Sequence, residues 1–318
     1  MYIHSNLDAV GFNPNTVLSI GTFDGVHKGH AVILNRLQEL SSSLEFARSL
    51  IITFDPHPQI VLKNPNKPEI QLLTTIYERL NLFYKMKVTD TAVVNFTREF
   101  AETNPEEFVK YLCEKVGVHT LLIGHDHAFG KDRAGNEELL TKLSNDYKFN
   151  IEKIPALEIN SEKISSTKIR NSLLSGDLET AKTMLGYEYS LLGNVVSGDG
   201  RGRKLGIPTA NVVPLDENKL LPKNGVYFVS SEINGTRYYG MANIGVRPTF
   251  VETDNPILEV HFFDFNSYIY DNKISVTFHN FLREEQKFPT LDLFLSQLAE
   301  DRNMCYDLLD QRLSNEQV

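Results

Sequence analysis

The 318 residues are 41% hydrophobic and 23% charged, a composition that suits about two globular domains and excludes a disordered, collagenous or coiled-coil chain. A formal net charge of −9 excludes a broad polybasic surface, so neither nucleic acid nor an anionic membrane is an expected partner, while a local site for a small anion stays open. Two cysteines, Cys113 and Cys305, follow no CxxC or zinc spacing, the first ten residues lack a signal peptide's basic and apolar regions, and no apolar run spans a bilayer. A cytoplasmic protein with two buried, reduced thiols is expected.

The first half alternates strand and helix signals. Val17–Ile20 is a short apolar run, followed by a glycine-rich turn and a helical pattern over Ala31–Leu40 carried by Val32, Ile33, Leu37 and Leu40. Leu50–Phe54 is a second apolar run, closed by Asp55-Pro56-His57-Pro58. Thr74–Met86 reads as a helix and Thr91–Phe96 as a strand. Asn104 caps a helix that has Pro105 at its first position and runs to about Val116. His119–Ile123 reads as a strand and Asn136–Tyr147 as a helix. Strands alternating with helices imply a parallel sheet covered on its faces.

Near Tyr187 the pattern changes to short strands: Val226–Ser230, a type I′ hairpin turn at Asn234-Gly235, Leu258–Phe265 and Ile274–Phe281. These predict a small antiparallel barrel, closed by an amphipathic helix over Thr290–Leu309. The expected domains are 1–186, Rossmann-like α/β, and 187–318, the barrel with its helix.

Residues 21–30, GTFDGVHKGH, sit between a strand and a helix. Glycines let backbone approach a ligand, and the helix start offers free N–H groups and the positive end of its dipole. His27 and His30 add imidazole donors there. Residues 164–170, ISSTKIR, place the hydroxyls of Ser165, Ser166 and Thr167, with Lys168 and Arg170, at a second helix start. Alone this is an ordinary Ser/Thr cap. With the histidines it reads as a phosphate site.

In the second half, GDGRGRKLGIPTAN (198–211) joins a glycine-rich stretch to Arg201, Arg203 and Lys204. In isolation it is also readable as a solvated turn. Thr209 and Asn211 fall on one face of the following strand and are hard oxygen donors of the kind that hold Mg²⁺ with nucleotide phosphates. Glu259 and His261 share a face of a later strand, where a carboxylate can accept a hydroxyl proton. Composition alone favours a solvated edge strand.

These strings resemble a known family. GTFDGVHKGH, TFDPHP (53–58), GHDHAFGKDRAGN (124–136) and ISSTKIR are similar to the FAD synthetase module of bacterial bifunctional riboflavin kinase/FAD synthetases, over about residues 15–185. GDGRGRKLGIPTAN, NGVYFV (224–229), NIGVRPTF (243–250), LEVHFFDF (258–265) and LREEQKF (282–288) resemble its riboflavin kinase module, over about residues 187–312. The resemblance implies phosphorylation of riboflavin by ATP to FMN and ADP, then adenylyl transfer from ATP to FMN giving FAD and pyrophosphate, with Mg²⁺.

It implies roles as well. His27 and His30 would be catalytic contacts of ATP phosphates. Gly21, Phe23, Asp24, Ser166, Thr167 and Arg170 would bind ATP in the first module, and Gly198, Gly200, Arg203 and Lys204 in the second. Asp126, Phe129 and Arg283 would bind flavin, Thr209 and Asn211 would hold the metal, and Glu259 would be the base. His127 stands where many relatives carry phenylalanine, which touches the flavin contact alone. His57 is open between a loop-shaping role and a ligand role. Two other readings stay open: a nucleotidyltransferase with another phosphorylated acceptor, and a flavin-binding regulator that has lost an activity.

Overall fold

The computed structural model describes residues 1–66, 68–125, 135, 137–159, 161–197, 202, 206–245 and 257–316. Contacts within the chain gather them into two units, Met1–Ser166 and Thr167–Val318.

The first unit carries strands β1 (Tyr2–His4), β2 (Thr16–Ile20), β3 (Arg48–Phe54), β4 (Asp90–Val94), β5 (Thr120–Gly124) and β6 (Asn150–Ile154). Its helices are α1 (Lys28–Ser42), α2 (Pro58–Val61), α3 (Ile76–Lys85), α4 (Arg98–Ala101), α5 (Pro105–Tyr111, continued by a π-turn over Leu112–Val116) and α6 (Glu137–Tyr147). The sheet order is β1-β4-β3-β2-β5-β6, with every neighbouring pair parallel. Every residue of β2 is buried because helices cover both faces. Leu18, Ile20, Leu50 and Ile52 pack into one core layer, while Val17, Ile51 and Leu122 pack into the other with α1 residues Ile33, Leu34 and Leu37. The strand order turns back at β2, which lies between β3 and β5. In parallel α/β sheets ligands bind beyond the C-terminal strand ends at such a reversal.

A two-stranded ribbon, β7 (Glu158–Ile159) and β8 (Glu162–Lys163), leads to helices α7 (Ser166–Ser175) and α8 (Leu178–Leu185). The second unit then builds β9 (Ser190–Val196), β10 (Ala210–Pro214), β11 (Gly225–Ile233), β12 (Thr236–Gly245), β13 (Ile257–Phe262) and β14 (Lys273–Arg283), followed by α9 (Leu291–Glu316). The strands close an antiparallel barrel in the order β10-β13-β12-β11-β14-β9. Asn234 (φ 51°) and Gly235 (φ 79°) join β11 to β12 with both φ angles positive, as the two-residue hairpin requires. β13 alternates: Leu258, Val260 and Phe262 are buried, while Glu259 and His261 are half-buried on the opposite face. Helix α9 packs on this outer side, where Leu298, Cys305, Leu308 and Leu309 meet Phe228, Met241 and Phe263. None of the described helices is long and apolar enough to cross a membrane.

Candidate active sites

The first site grows from the C-terminal end of β2. Phe23 (φ 48°) and Val26 (φ 34°) hold left-handed conformations that side chains with a Cβ rarely adopt, on either side of Gly25 (φ 83°). Asp24 anchors this turn. It is 1% exposed and its carboxylate accepts from Leu73 N (3.1 Å), Thr74 N (2.9 Å) and Thr74 Oγ1 (3.1 Å). Gly25 N in turn donates to Thr74 Oγ1 at 3.0 Å. Strain of this kind persists only where surrounding bonds over-determine the backbone. Gly21 N donates to Ile52 O at 3.0 Å, and a Cβ added there would press on the Phe23 ring.

His27 is the N-cap of α1: its Nδ1 accepts from His30 N at 3.2 Å. A ring nitrogen that accepts carries no proton, so neutral His27 has its proton on Nε2. The His27 and His30 rings stack with centroids 3.7 Å apart and planes 12° apart. Phe23 meets the His30 ring edge-on at 5.2 Å. His30 Nδ1 is buried and has no hydrogen-bond partner among the described residues. Burial, then electrostatic repulsion by His27 when it is protonated and by Arg79, hold the His30 pKa well below the ordinary histidine value. The neutral form of His30 is therefore favoured.

Arg79 on α3 is absent from the sequence-based expectation. It is 0% exposed and its Nη1 donates to Thr53 Oγ1 (2.9 Å) and Phe54 O (3.1 Å) at the end of β3. Only the i, i+3 spacing Ile76–Arg79 signals it, placing a cation on the buried face of an amphipathic helix. Ser166 Oγ donates to Asp24 O at 2.9 Å, so the start of α7 is tied to the histidine loop. Thr167 and Arg170 are the second and fifth residues of α7 and are counted with the second unit. His57 caps α2 through Nδ1, which accepts from Gln59 N at 3.1 Å.

The second site lies between the outer face of the barrel and α9. A cavity of about 400 Å³ is lined by Thr209, Glu259, His261 and Arg283 together with apolar side chains that include Met241 and Phe288. Glu259 stands opposite Asn211 on one neighbouring strand and opposite Asn243 on the other, an Asn–Glu–Asn row across three strands. Asn211 is 5% exposed. Asn243 Nδ2 donates to Glu285 Oε1 at 3.0 Å. Arg283 lines the cavity as half of an ion pair: Nε and Nη2 reach the Asp301 carboxylate at 2.8 and 2.7 Å.

The chemistry divides accordingly. The first loop gathers two imidazoles at a helix N-terminus, and the cavity brings the carboxylates of Glu259, Glu285 and Asp301, the Thr209 hydroxyl and the amides of Asn243 and Gln286 together on a largely apolar wall. Two family models match the chain, FAD synthetase over residues 11–168 and riboflavin kinase over residues 185–309. The bifunctional riboflavin kinase/FMN adenylyltransferase of Listeria monocytogenes is 36% identical over 287 residues, which cover 90% of both chains. The chain belongs to the bifunctional riboflavin kinase/FMN adenylyltransferase family. Family members so named from Escherichia coli and Bacillus subtilis are 36% and 33% identical over 90% of both chains. A Streptococcus pneumoniae structure titled a macrolide-efflux protein shares the fold at TM-score 0.84 and 30% identity, over 96% of this chain and 98% of that one.

Of the residues that the family resemblance singles out, Asp126, Phe129, Gly198, Gly200, Arg203 and Lys204 lie outside the described residues, as does His127. Gly202 of the same glycine-rich stretch is described and lines the cavity. Among the described residues no group of His, Cys, Asp and Glu side chains could hold a metal ion by itself. Thr209 and Asn211 are hard, neutral oxygen donors, a set that fits a divalent ion also ligated by nucleotide phosphates.

Proposed function

We propose that this protein makes flavin cofactors in two steps, phosphorylating riboflavin to FMN and adenylylating FMN to FAD. The carrying observation is the cavity of about 400 Å³ in the riboflavin kinase match, where Glu259 and Thr209 share a wall with apolar groups suited to a flavin ring. In the first step Glu259 takes the proton of the ribityl 5′-hydroxyl as its oxygen bonds to the γ-phosphorus of ATP, and ADP leaves. Thr209 and Asn211 would hold Mg²⁺ with the ATP phosphates; the ion, when bound, offsets phosphate charge. Arg283, fixed by Asp301, lines the flavin side.

In the second step an FMN phosphate oxygen bonds to the α-phosphorus of ATP, and the bond to the bridging oxygen of pyrophosphate breaks. His27 and His30 donate to the phosphate oxygens on which charge grows, and need form no covalent intermediate. Ser166, Thr167, Arg170 and the Gly21 backbone are assigned to phosphate binding. Phe23 and Asp24 serve it indirectly, by ordering His30 and the turn. We assign adenylylation to residues 1–186 and kinase chemistry to 187–318, in a cytoplasmic protein that binds neither nucleic acid nor membrane.

The test is product chromatography of riboflavin with ATP and Mg²⁺, then of FMN with ATP and Mg²⁺. FMN from the first and FAD with pyrophosphate from the second are expected. Flavin binding without turnover would leave a flavin-binding regulator, and adenylylation of another acceptor in place of FMN would leave a different nucleotidyltransferase.

A further inference from the structure

We propose that His261 is a positioning residue of the kinase site, which holds the Thr209 hydroxyl in place through the carbonyl of Pro208. The proposal rests on the kinase reading above.

The β10–β13 ladder pairs Val212 with Leu258, Asn211 with Glu259 and Ala210 with Val260. Extended by one residue it would pair Thr209 with His261. It stops there, and Pro208, which has no N–H, cannot donate a ladder bond. Thr209 therefore lies just before the strand, one residue beyond the last paired position. His261 replaces the missing tie: its Nδ1 lies 2.8 Å from Pro208 O. A carbonyl oxygen only accepts, so Nδ1 carries the proton and donates.

The other side of Pro208 is held as well. Ile207 N donates to Gly202 O at 2.8 Å, and a Cβ on Gly202 would lie 2.3 Å from Ile207 O. Gly202 thus lies flat against the chain entering β10. The three ties follow one another: Gly202 to Ile207, Pro208 to His261, and Ala210 to Val260. Glu259 and His261 project from the same face of β13, and both line the cavity with Thr209. One rigid strand therefore carries the base and, through His261, fixes the distance from the base to the hydroxyl proposed to bind ATP. Without that hydrogen bond, Thr209 sits in an entering segment that the ladder does not reach.

The experiment compares His261→Ala, His261→Asn and His261→Gln in the full chain. The Asn amide nitrogen falls near the position of Nδ1, and that of Gln falls near Nε2. With Ala, KM for ATP should rise about tenfold, the size of one net hydrogen bond, while KM for riboflavin holds. Asn should restore most of this loss and Gln should not. Circular dichroism and an unchanged KM for riboflavin serve as the folding control. Wild-type KM for ATP in the Ala variant, rescue by Gln but not Asn, or equal loss in all three would each overturn the proposal. Absence of riboflavin phosphorylation by the wild-type protein would instead defeat the kinase reading.

Discussion

Arg283 and Asp301 are joined by two hydrogen bonds, Nε to Oδ1 at 2.8 Å and Nη2 to Oδ2 at 2.7 Å, which tie the last residue of β14 to α9. Asp301 is 0% exposed and also accepts from Gln297 Nε2 at 3.1 Å. The pair closes the cavity wall on which the flavin is proposed to lie. A buried pair stabilises little against an apolar substitute, but removal of one partner strands the other charge.

Asp301→Ala should therefore destabilise the second unit by roughly 3–5 kcal/mol and raise KM for riboflavin. Asp301→Leu with Arg283→Met should recover much of the stability and none of the riboflavin affinity. Denaturant melts and steady-state kinetics decide it. A single variant as stable as the wild type would show that the pair carries no structural weight.

The stacked histidines give a prediction of opposite character, since His27 has a structural duty besides the chemical one proposed for it. Loss of an N-cap costs about 1 kcal/mol. Loss of a donor aimed at growing phosphate charge costs about 10²–10³-fold in rate. His27→Asn should keep the cap, because its amide oxygen can accept from His30 N. FAD formation should nonetheless fall, with riboflavin phosphorylation unchanged. Adenylylation at the wild-type rate would confine His27 to capping.

His30 also predicts a pH dependence. Its folded-state pKa lies below the unfolded value of 6.5 because burial, His27 and Arg79 disfavour its charged form. Below 6.5 the unfolded chain therefore binds a proton that the folded chain refuses. Stability linked to His30 is complete above 6.5 and is lost as pH falls from there toward the depressed folded value. Histidine NMR titration should find a ring whose midpoint lies below the ordinary histidine value, and His30→Gln should flatten the stability curve in this window. Titration of His30 at 6.5 or above would reject the assignment.

Helices α7 and α8 lead to a test of domain independence. Lys223 N donates to Leu173 O at 3.0 Å, and a Cβ on Gly176 would lie 3.3 Å from Lys223 Cδ and 3.5 Å from the Phe281 ring. Fragments 167–318 and 187–318 should both phosphorylate riboflavin, since Thr209, Asn211 and Glu259 are in both. The longer fragment should melt higher, because it keeps these contacts. Equal melting temperatures would show that the helices add nothing to the barrel.

Much of this architecture is legible from local signals. Asn104 with Pro105, Asn234-Gly235, and the switch from helical to strand period near Tyr187 each state a conformation within a few residues. The proposed sites rest on the same kind of signal: HxGH and PTAN are short strings that fall on one turn or at the start of one strand. What escaped is non-local. β1 is three residues long, too short to show a period, and joins the sheet through β4, where His4 Nε2 lies 2.8 Å from Asp90 Oδ1. Arg79 and Asp301 are charged residues that burial turns inward, and their partners are distant in sequence. The capping role of His27 was hidden because an imidazole Nδ1 can do the work usually given to Asp, Asn, Ser or Thr.

The most direct test of the proposed chemistry is Glu259→Gln. Glu259 lies between Asn211 and Asn243 on the cavity face, in the interior of a ladder whose register its neighbours Leu258 and Val260 fix by burial. Glutamine is nearly isosteric and keeps one acceptor oxygen, so the row across the three strands should survive. It cannot take up the hydroxyl proton. A positioned general base contributes about 10²–10⁴-fold, so riboflavin phosphorylation should fall by that factor in kcat. KM for ATP should hold, because Thr209 and its tie to His261 are untouched, and this separates the variant from His261→Ala. Conversion of supplied FMN to FAD should continue at the wild-type rate. Chromatography on each flavin separately, with circular dichroism as the folding check, gives the answer. Full riboflavin phosphorylation by a folded Glu259→Gln protein would remove Glu259 as the base; equal loss of both activities would assign it a structural role.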